Sequence, residues 1–321
     1  MDVHSLVPIV QKLFAAGIAP STRKVYSTGG RRYEDFCTLS KLKPYPTSEK
    51  ILALFVGHLY VEGLAPGTIK SYLAAVQYDQ VTRGFSNPNI GGMPQLEYVV
   101  RGLKRLTPVR TRKHLPITPG VLRCLKAVWK KESNRRNAKM LWAAACLCFF
   151  GFLRSGEAVA PSERSYDPKH HLCFEDICID DPKSPAWIQV IIKASKTDPF
   201  RQGVTLHLGR TGADLCPVVA VLEYMVARGS KAGPLFMWQD GRYLTRASFV
   251  KEVRAALTVA GFKAADFAGH SFRIGAATTA STCGIQDSLI KTLGRWESSA
   301  YTCYIRTPPE VLRGVSRSLI S

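Results

Sequence analysis

The sequence predicts a mostly helical α+β protein. A small all-helical N-terminal domain precedes a larger domain with one small antiparallel β-sheet among its helices. Three observations predict this. Apolar residues recur at helical spacing through residues 5–104 and again from 117 onward. Between 172 and 208 the pattern changes to short runs rich in β-branched residues. A basic, Pro-containing stretch between 105 and 119 breaks the periodicity that separates the two parts. A chain of 321 residues is comfortable for two domains, and 46% hydrophobic content can fill a core in each.

The elements follow in order. Ser21-Thr22-Arg23-Lys24-Val25-Tyr26 opens a helix with a capping residue, and Tyr26, Tyr33 and Phe36 continue it at apolar spacing. Pro46-Thr47-Ser48 precedes a second helix that carries Ile51, Leu52, Leu54, Phe55, Leu59 and Tyr60. A third starts at Ala65-Pro66-Gly67 and puts Tyr72, Leu73 and Val76 on one face. A fourth covers 95–106. The starts of the first and third, APSTRKVY and APGTIKSYLAAV, look alike. Residues 139–152, KMLWAAACLCFFGF, are apolar enough to predict a helix buried on all sides. Strands are predicted at 173–179, 187–192 and 203–207, and helices resume at Cys216-Pro217.

The charge is the unusual property. Net charge is +20 and the isoelectric point is near 9.7. So basic a surface calls for a polyanion, and nucleic acid leads. The stretch 106–116 contains Arg110, Arg112 and Lys113, and the next helix adds Arg123, Lys126 and Lys130. These six are the candidate DNA contacts; the alternative is a plain solvated linker. No apolar run is long enough for a membrane span, and the start lacks a basic segment before an apolar run. Nine irregularly spaced cysteines suit reduced intracellular thiols better than a disulfide framework. His170, His171, Cys173 and Cys178 form a ligand-like cluster, but their spacing fits no common structural-zinc pattern. No P-loop or carboxylate metal triad appears.

The densest chemistry lies near the C-terminal end. GHSFRIGAA (269–277) is followed by Gly294-Arg295-Trp296 and by Tyr301-Thr302-Cys303-Tyr304-Ile305-Arg306. His270 and Arg273 are three apart, so on a helix they face the same way. Arg offers a planar fork for phosphate oxygens, His moves protons near neutral pH, and Tyr can attack phosphorus. Gly275, Ala276 and Ala277 would let this helix pack closely. Upstream, Arg154 and Glu157 stand in FLRSGEAVA, where the bland reading is a structural pair at i,i+3 spacing. Lys196 stands in IKASKTDPFRQG with Lys193 as a competitor.

This order of residues resembles the signature of the tyrosine recombinase (phage integrase) family, and the similarity runs from about Ser21 to Arg306. Specific motifs occur only in the second half. The resemblance implies a helical core-binding domain over 1–107, a basic linker over 108–118 and a catalytic domain over 119–321. It implies that Arg154 and Arg273 clamp the scissile phosphate, with Glu157 supporting their surroundings. Lys196 would protonate the departing 5′ oxygen, and His270 would assist proton transfer. Trp296 falls where Cre-type relatives carry Trp; an indole donates a hydrogen bond but accepts no proton. The nucleophile is Tyr304 or Tyr301, with the CYIR context favouring Tyr304.

The implied activity is site-specific recombination or integration. Duplex DNA is cleaved and rejoined through a 3′-phosphotyrosine, with no metal, ATP or small-molecule cofactor. Partners would be double-stranded DNA and three further copies of the chain. The apolar stripe Val311, Leu312, Val315 and Leu319 in the tail 308–321 would dock on a neighbouring subunit. GRW…AY…YIR with LFAAGIAPSTRKVY also resembles recombinases of eukaryotic DIRS-like and Crypton-like mobile elements. That implies a nuclear location, and a cytoplasmic one otherwise. Two alternatives stay open: a type IB topoisomerase-like monomer, and a domesticated protein that binds DNA without cutting it.

Overall fold

The computed structural model describes residues 3–88, 90–107, 114–196, 198 and 200–306. The chain divides into two compact units, 1–111 and 112–321.

Among the described residues, five α-helices build the first unit: α1 (Val3–Ala16), α2 (Pro20–Leu39), α3 (Glu49–Val61), α4 (Pro66–Thr82) and α5 (Pro94–Leu106). Helices α2, α4 and α5 each carry Pro in their first turn, where its fixed φ suits the helix and its missing N–H costs nothing. This corrects the expected start of α2. The helix begins at Pro20 behind Ala19, and no side chain caps it, so Ser21 is not the cap. The alike starts of α2 and α4 open two helices that pack on each other. Ser48 does cap α3, accepting from the Ile51 N–H at 3.4 Å. Tyr33, Phe36, Leu52, Phe55, Leu59, Leu73 and Val76 meet in one core.

The second unit is built around α7 (Arg135–Phe150), which packs against α6 (Pro119–Lys130), α9 (Pro217–Arg228) and α11 (Ser271–Thr282). Every residue from Met140 to Phe149 is buried, as its composition requires. Truncating such a residue, Leu147 for example, costs about 2–5 kcal/mol. After the short α8 (Ser155–Ala158) come three antiparallel strands in the order β1 (Ile177–Ile179), β2 (Trp187–Ile192) and β3 (Val204–Gly209). Ile177 pairs with Val190, and Ile188 with Leu208. Strand β1 is shorter than expected. Residues 174–176 turn as a 3₁₀ helix because the Asp176 carboxylate accepts the Cys173 N–H at 2.7 Å. Helices α10 (Arg246–Val259) and α12 (Asp287–Gly294) and a 3₁₀ turn, Ser299–Cys303, complete the unit.

The expected linker, 108–118, is described only in part. Residues 108–113 lie outside the described residues. Residues 114–118 belong to the second unit: Leu115 and Ile117 donate to the carbonyls of Asp266 and Ser271, and Ile117 is fully buried. A Cβ on Gly275 would fall 1.9 Å from the Ile117 carbonyl oxygen. Only glycine lets α11 approach this segment, so the small residues after HSFR have a packing reason. No helix among the described residues is long and apolar enough to cross a membrane.

Candidate active site

Helix α7 ends at Gly151, and the chain turns through Phe152 at φ +50°. The turn delivers Arg154 to the N-terminus of α8. Glu157 locks it there. One carboxylate oxygen accepts the Arg154 backbone N–H at 3.0 Å, and the other accepts from its guanidinium at 2.7 Å. The i,i+3 pair therefore forms, and both side chains also line a cleft of about 900 Å³. Lys196, His270, Trp296 and Tyr304 line the same cleft. These residues come from five separate places in the second unit.

Lys196 is exposed on the β2–β3 connection. Its competitor Lys193 is engaged elsewhere. Its ammonium donates to the Pro168 carbonyl at 2.8 Å and pairs with Asp176 at 2.7 Å.

His270 caps the N-terminus of α11 with its ring at the cleft. Burial lowers its pKa below the usual imidazole value, and the positive charges of Arg154, Arg246, Arg273 and Lys196 lower it further. The ring is therefore neutral at neutral pH and able to take a proton.

Arg273 departs from the expected shared face. It is 0% exposed and is not among the residues lining the cleft. Its guanidinium donates to the carbonyls of Phe152 and Gly294. It also lies 4.2 Å from the Trp296 ring centroid and 5.7 Å from that of Tyr304. Burial, then the charges of Arg154 and Arg295, lower its pKa to about 10, which still leaves it charged at neutral pH. The close seating of α11 draws Arg273 inward while His270, at the helix end, stays half-buried at the cleft.

Trp296 is 7% exposed and packs on the rings of Phe152, Tyr301 and Tyr304. Its indole N–H is buried and has no acceptor among the described residues, although the side chain lines the cleft. A buried donor without a partner is costly, and a phosphate oxygen in the cleft would satisfy it.

The two tyrosines are not equivalent. Tyr304 lines the cleft, and Thr278 on α11 holds its backbone: the Thr278 hydroxyl donates to the Tyr304 carbonyl at 3.2 Å and accepts the Arg306 N–H at 3.0 Å. Tyr301 is outside the cleft lining. Its hydroxyl donates to Asp287 at 2.9 Å, and that bond raises its pKa, which opposes the phenolate an attack needs.

The candidate DNA contacts divide. Arg110, Arg112 and Lys113 lie outside the described residues. Arg123 donates to the Asp214 carboxylate at 2.9 and 3.2 Å, and the Lys126 ammonium donates to the Asp214 carbonyl and lies over Trp142. Lys130 is exposed. The four-residue ligand-like cluster does not converge. His170 and His171 line the cleft, Cys173 is buried against Tyr166 and Lys193, and Cys178 is exposed on β1. Among the described residues no group of three His, Cys, Asp or Glu is placed to hold a metal ion.

No protein-family model matches the chain. An integrase/recombinase XerD homologue of Selenomonas ruminantium is 23% identical over 280 residues, covering 82% of this chain and 74% of the relative. Among solved structures, the XerH site-specific recombinase bound to difH substrate, a pre-cleavage complex, shares the fold. Its TM-score is 0.59 at 17% identity, over 91% of this chain and 78% of that one. A lambda integrase dimer bound to a COC′ core site gives 0.55 at 12% identity, over 95% and 77%. The chain is thus similar in sequence to an integrase/recombinase homologue and shares its fold with site-specific recombinases and integrases.

Sequence reasoning missed three residues of this candidate site. Arg246, the first residue of α10, lines the cleft and acts electrostatically on His270. Thr278 anchors Tyr304. Arg295, beside Trp296 in the GRW motif, donates to Glu157 at 2.9 Å. Adjacency to Trp296 was the only signal for Arg295, and nothing local marked the other two.

Proposed function

We propose that this chain is a site-specific DNA recombinase or integrase that cleaves and rejoins duplex DNA through Tyr304. The Tyr304 oxygen attacks the scissile phosphorus, and the bond from phosphorus to the 5′ oxygen breaks. A 3′-phosphotyrosine and a free 5′ hydroxyl result. Lys196 supplies the proton to the leaving oxygen, and the neutral His270 accepts the phenol proton. Arg154 and the Trp296 N–H stabilise charge on the non-bridging oxygens, and the buried Arg273 guanidinium against Trp296 adds its positive charge to the field there. The covalent bond stores the phosphodiester energy, so a second 5′ hydroxyl reverses the step without ATP.

The observation that carries this reading is the convergence of Arg154, Lys196, His270, Trp296 and Tyr304 on one cleft, with an unpartnered indole donor among them. The relatives' described substrates, difH DNA and a COC′ core site, agree with it. So does the net charge of +20. On the same reading, 1–107 is a core-binding domain and 108–113 a basic linker toward DNA, and the catalytic domain starts with the segment 114–118 that packs into the second unit. The tail 308–321, outside the described residues, joins subunits in a tetramer.

A nicked duplex that loses its leaving strand traps the covalent adduct, and mass spectrometry maps it. Adduct on Tyr304, abolished in Tyr304→Phe and kept in Tyr301→Phe, is the expected result. Binding without any adduct would leave a non-catalytic DNA-binding protein. Adduct without strand exchange between two duplexes would favour the topoisomerase-like reading.

A further inference from the structure

We propose that Arg295 is a positioning residue of this site: it holds Glu157 so that the Arg154 guanidinium keeps its positive charge for a phosphate. The inference rests on the recombinase reading above.

Arg295 is the C-cap of α12 and sits at φ 55°, ψ 48°, a left-handed conformation that non-glycine residues rarely adopt. Such backbone persists where the surroundings hold it in place. Here the side chain is what the surroundings hold. It is 12% exposed. Its guanidinium donates to Glu157 at 2.9 Å and to the carbonyl of Gly151 at 3.2 Å.

Glu157 is 5% exposed and takes three donors: the Arg154 backbone, the Arg154 guanidinium and Arg295. With Arg273 the cluster contains three guanidiniums and one carboxylate, a surplus of two positive charges. A buried surplus is unfavourable until an anion arrives. The adjoining cleft, lined by Arg154, is where an anion could reach it. Burial, together with repulsion from Arg154, lowers the Arg295 pKa, while Glu157 opposes that shift.

The charge count gives Arg295 its role. Without Arg295, the single negative charge of Glu157 falls on Arg154 alone. The pair becomes neutral, and the carboxylate repels an incoming phosphate. With Arg295 present, Glu157 is shared between two cations. It still fixes the backbone and side chain of Arg154, but it no longer cancels the Arg154 field. Arg295 itself is not among the residues lining the cleft, so it acts through Glu157.

The test measures single-turnover adduct formation on the nicked duplex at saturating DNA, with thermal unfolding as a fold check. Arg295→Asn removes the guanidinium and tolerates the left-handed backbone. It should slow adduct formation roughly 10–100-fold, the loss typical when a residue that holds an active-site group is removed. Arg295→Lys, which keeps the charge, should stay much closer to the wild type. Adding Glu157→Gln to Arg295→Asn should speed the reaction again, because the unbalanced carboxylate is gone. A structural role alone predicts the opposite, a double variant as slow as the single or slower. That outcome, or Arg295→Lys as slow as Arg295→Asn, or Arg295→Asn as fast as the wild type, overturns the proposal. If Arg295→Asn does not fold, Arg295→Gln takes its place in the same comparison. Wild-type protein that forms no adduct overturns the recombinase reading instead, so the two failures are separable.

Discussion

The two units differ in the charge they bury. In the first, ion pairs stay at the surface: Arg32 pairs with Glu62 and Arg83 with Glu34, all four side chains at least 38% exposed. Its core is aromatic and aliphatic, and Tyr33 meets its need for a partner through Pro44 and Thr47. In the second, Arg154, Arg295 and Glu157 are at most 16% exposed, and Arg273 is completely buried. Surface pairs contribute about 0–1 kcal/mol each, whereas breaking a buried pair costs about 3–5 kcal/mol. Apolar residues of similar volume would often serve a fold as well as a buried ion cluster does. The difference teaches that the first unit keeps these ion pairs in solvent, whereas the second, besides surface pairs such as Arg123–Asp214, buries a charged cluster beside a cleft.

The strongest way to break this comparison is Arg273→Ala. If Arg273 stabilises the transition state, adduct formation should fall by about 10²–10³, the cost of losing one donor to developing negative charge. DNA binding and the circular dichroism spectrum should persist. A near-normal rate would return Arg273 to a purely structural place on the Phe152 and Gly294 carbonyls.

Gly275→Ala probes the packing that seats Arg273. The added methyl meets the Ile117 carbonyl, and backbone cannot move aside cheaply. Overpacking of this kind costs about 1–3 kcal/mol, read as a lower thermal midpoint. An unchanged midpoint would show that the segment 114–118 shifts freely.

The pH response sharpens the electrostatics. The folded pKa of His270 lies below the ordinary value of about 6.5. The unfolded chain therefore binds the proton first. The contribution of His270 to stability is intact above about pH 6.5 and declines as pH falls below it. By the same sign, adduct formation at low DNA concentration should hold as pH falls through 6.5 and decline only below. His270→Gln should remove that acid limb. A limb that persists in His270→Gln belongs to another group.

The smallest expected effect is in the first unit. Arg32→Ala should change stability by less than about 1 kcal/mol, measured by denaturant unfolding. A larger loss would mean that its surface pairs are as structural as the buried cluster.

Much of this protein was legible in its residues. Periodicity placed α3 to α5, the body of α7, β2 and β3 close to their observed bounds, because burial of one face leaves a local repeat. Boundaries erred where a local competitor won. Pro20 started α2 one residue before Ser21, and Asp176 turned 174–176 into a 3₁₀ helix at the expense of β1. Catalytic candidates were legible because the residue types, their order and their gaps are constrained together, from Arg154 to Tyr304.

The sequence by itself determined the composition of the site and the helical frame, since both rest on residue type and short spacing. Only the tertiary structure decided which of the candidates meet. Lys193 and Lys196 are three apart in the chain, yet Asp176 and Pro168 take one and leave the other at the cleft. Tyr301 and Tyr304 are one turn apart, yet Asp287 holds one and the cleft receives the other. Arg295 meets Glu157, the partner of Arg154, across 138 residues of sequence. Hydrogen bonds and ion pairs depend on distance in space, and no local pattern carries that distance.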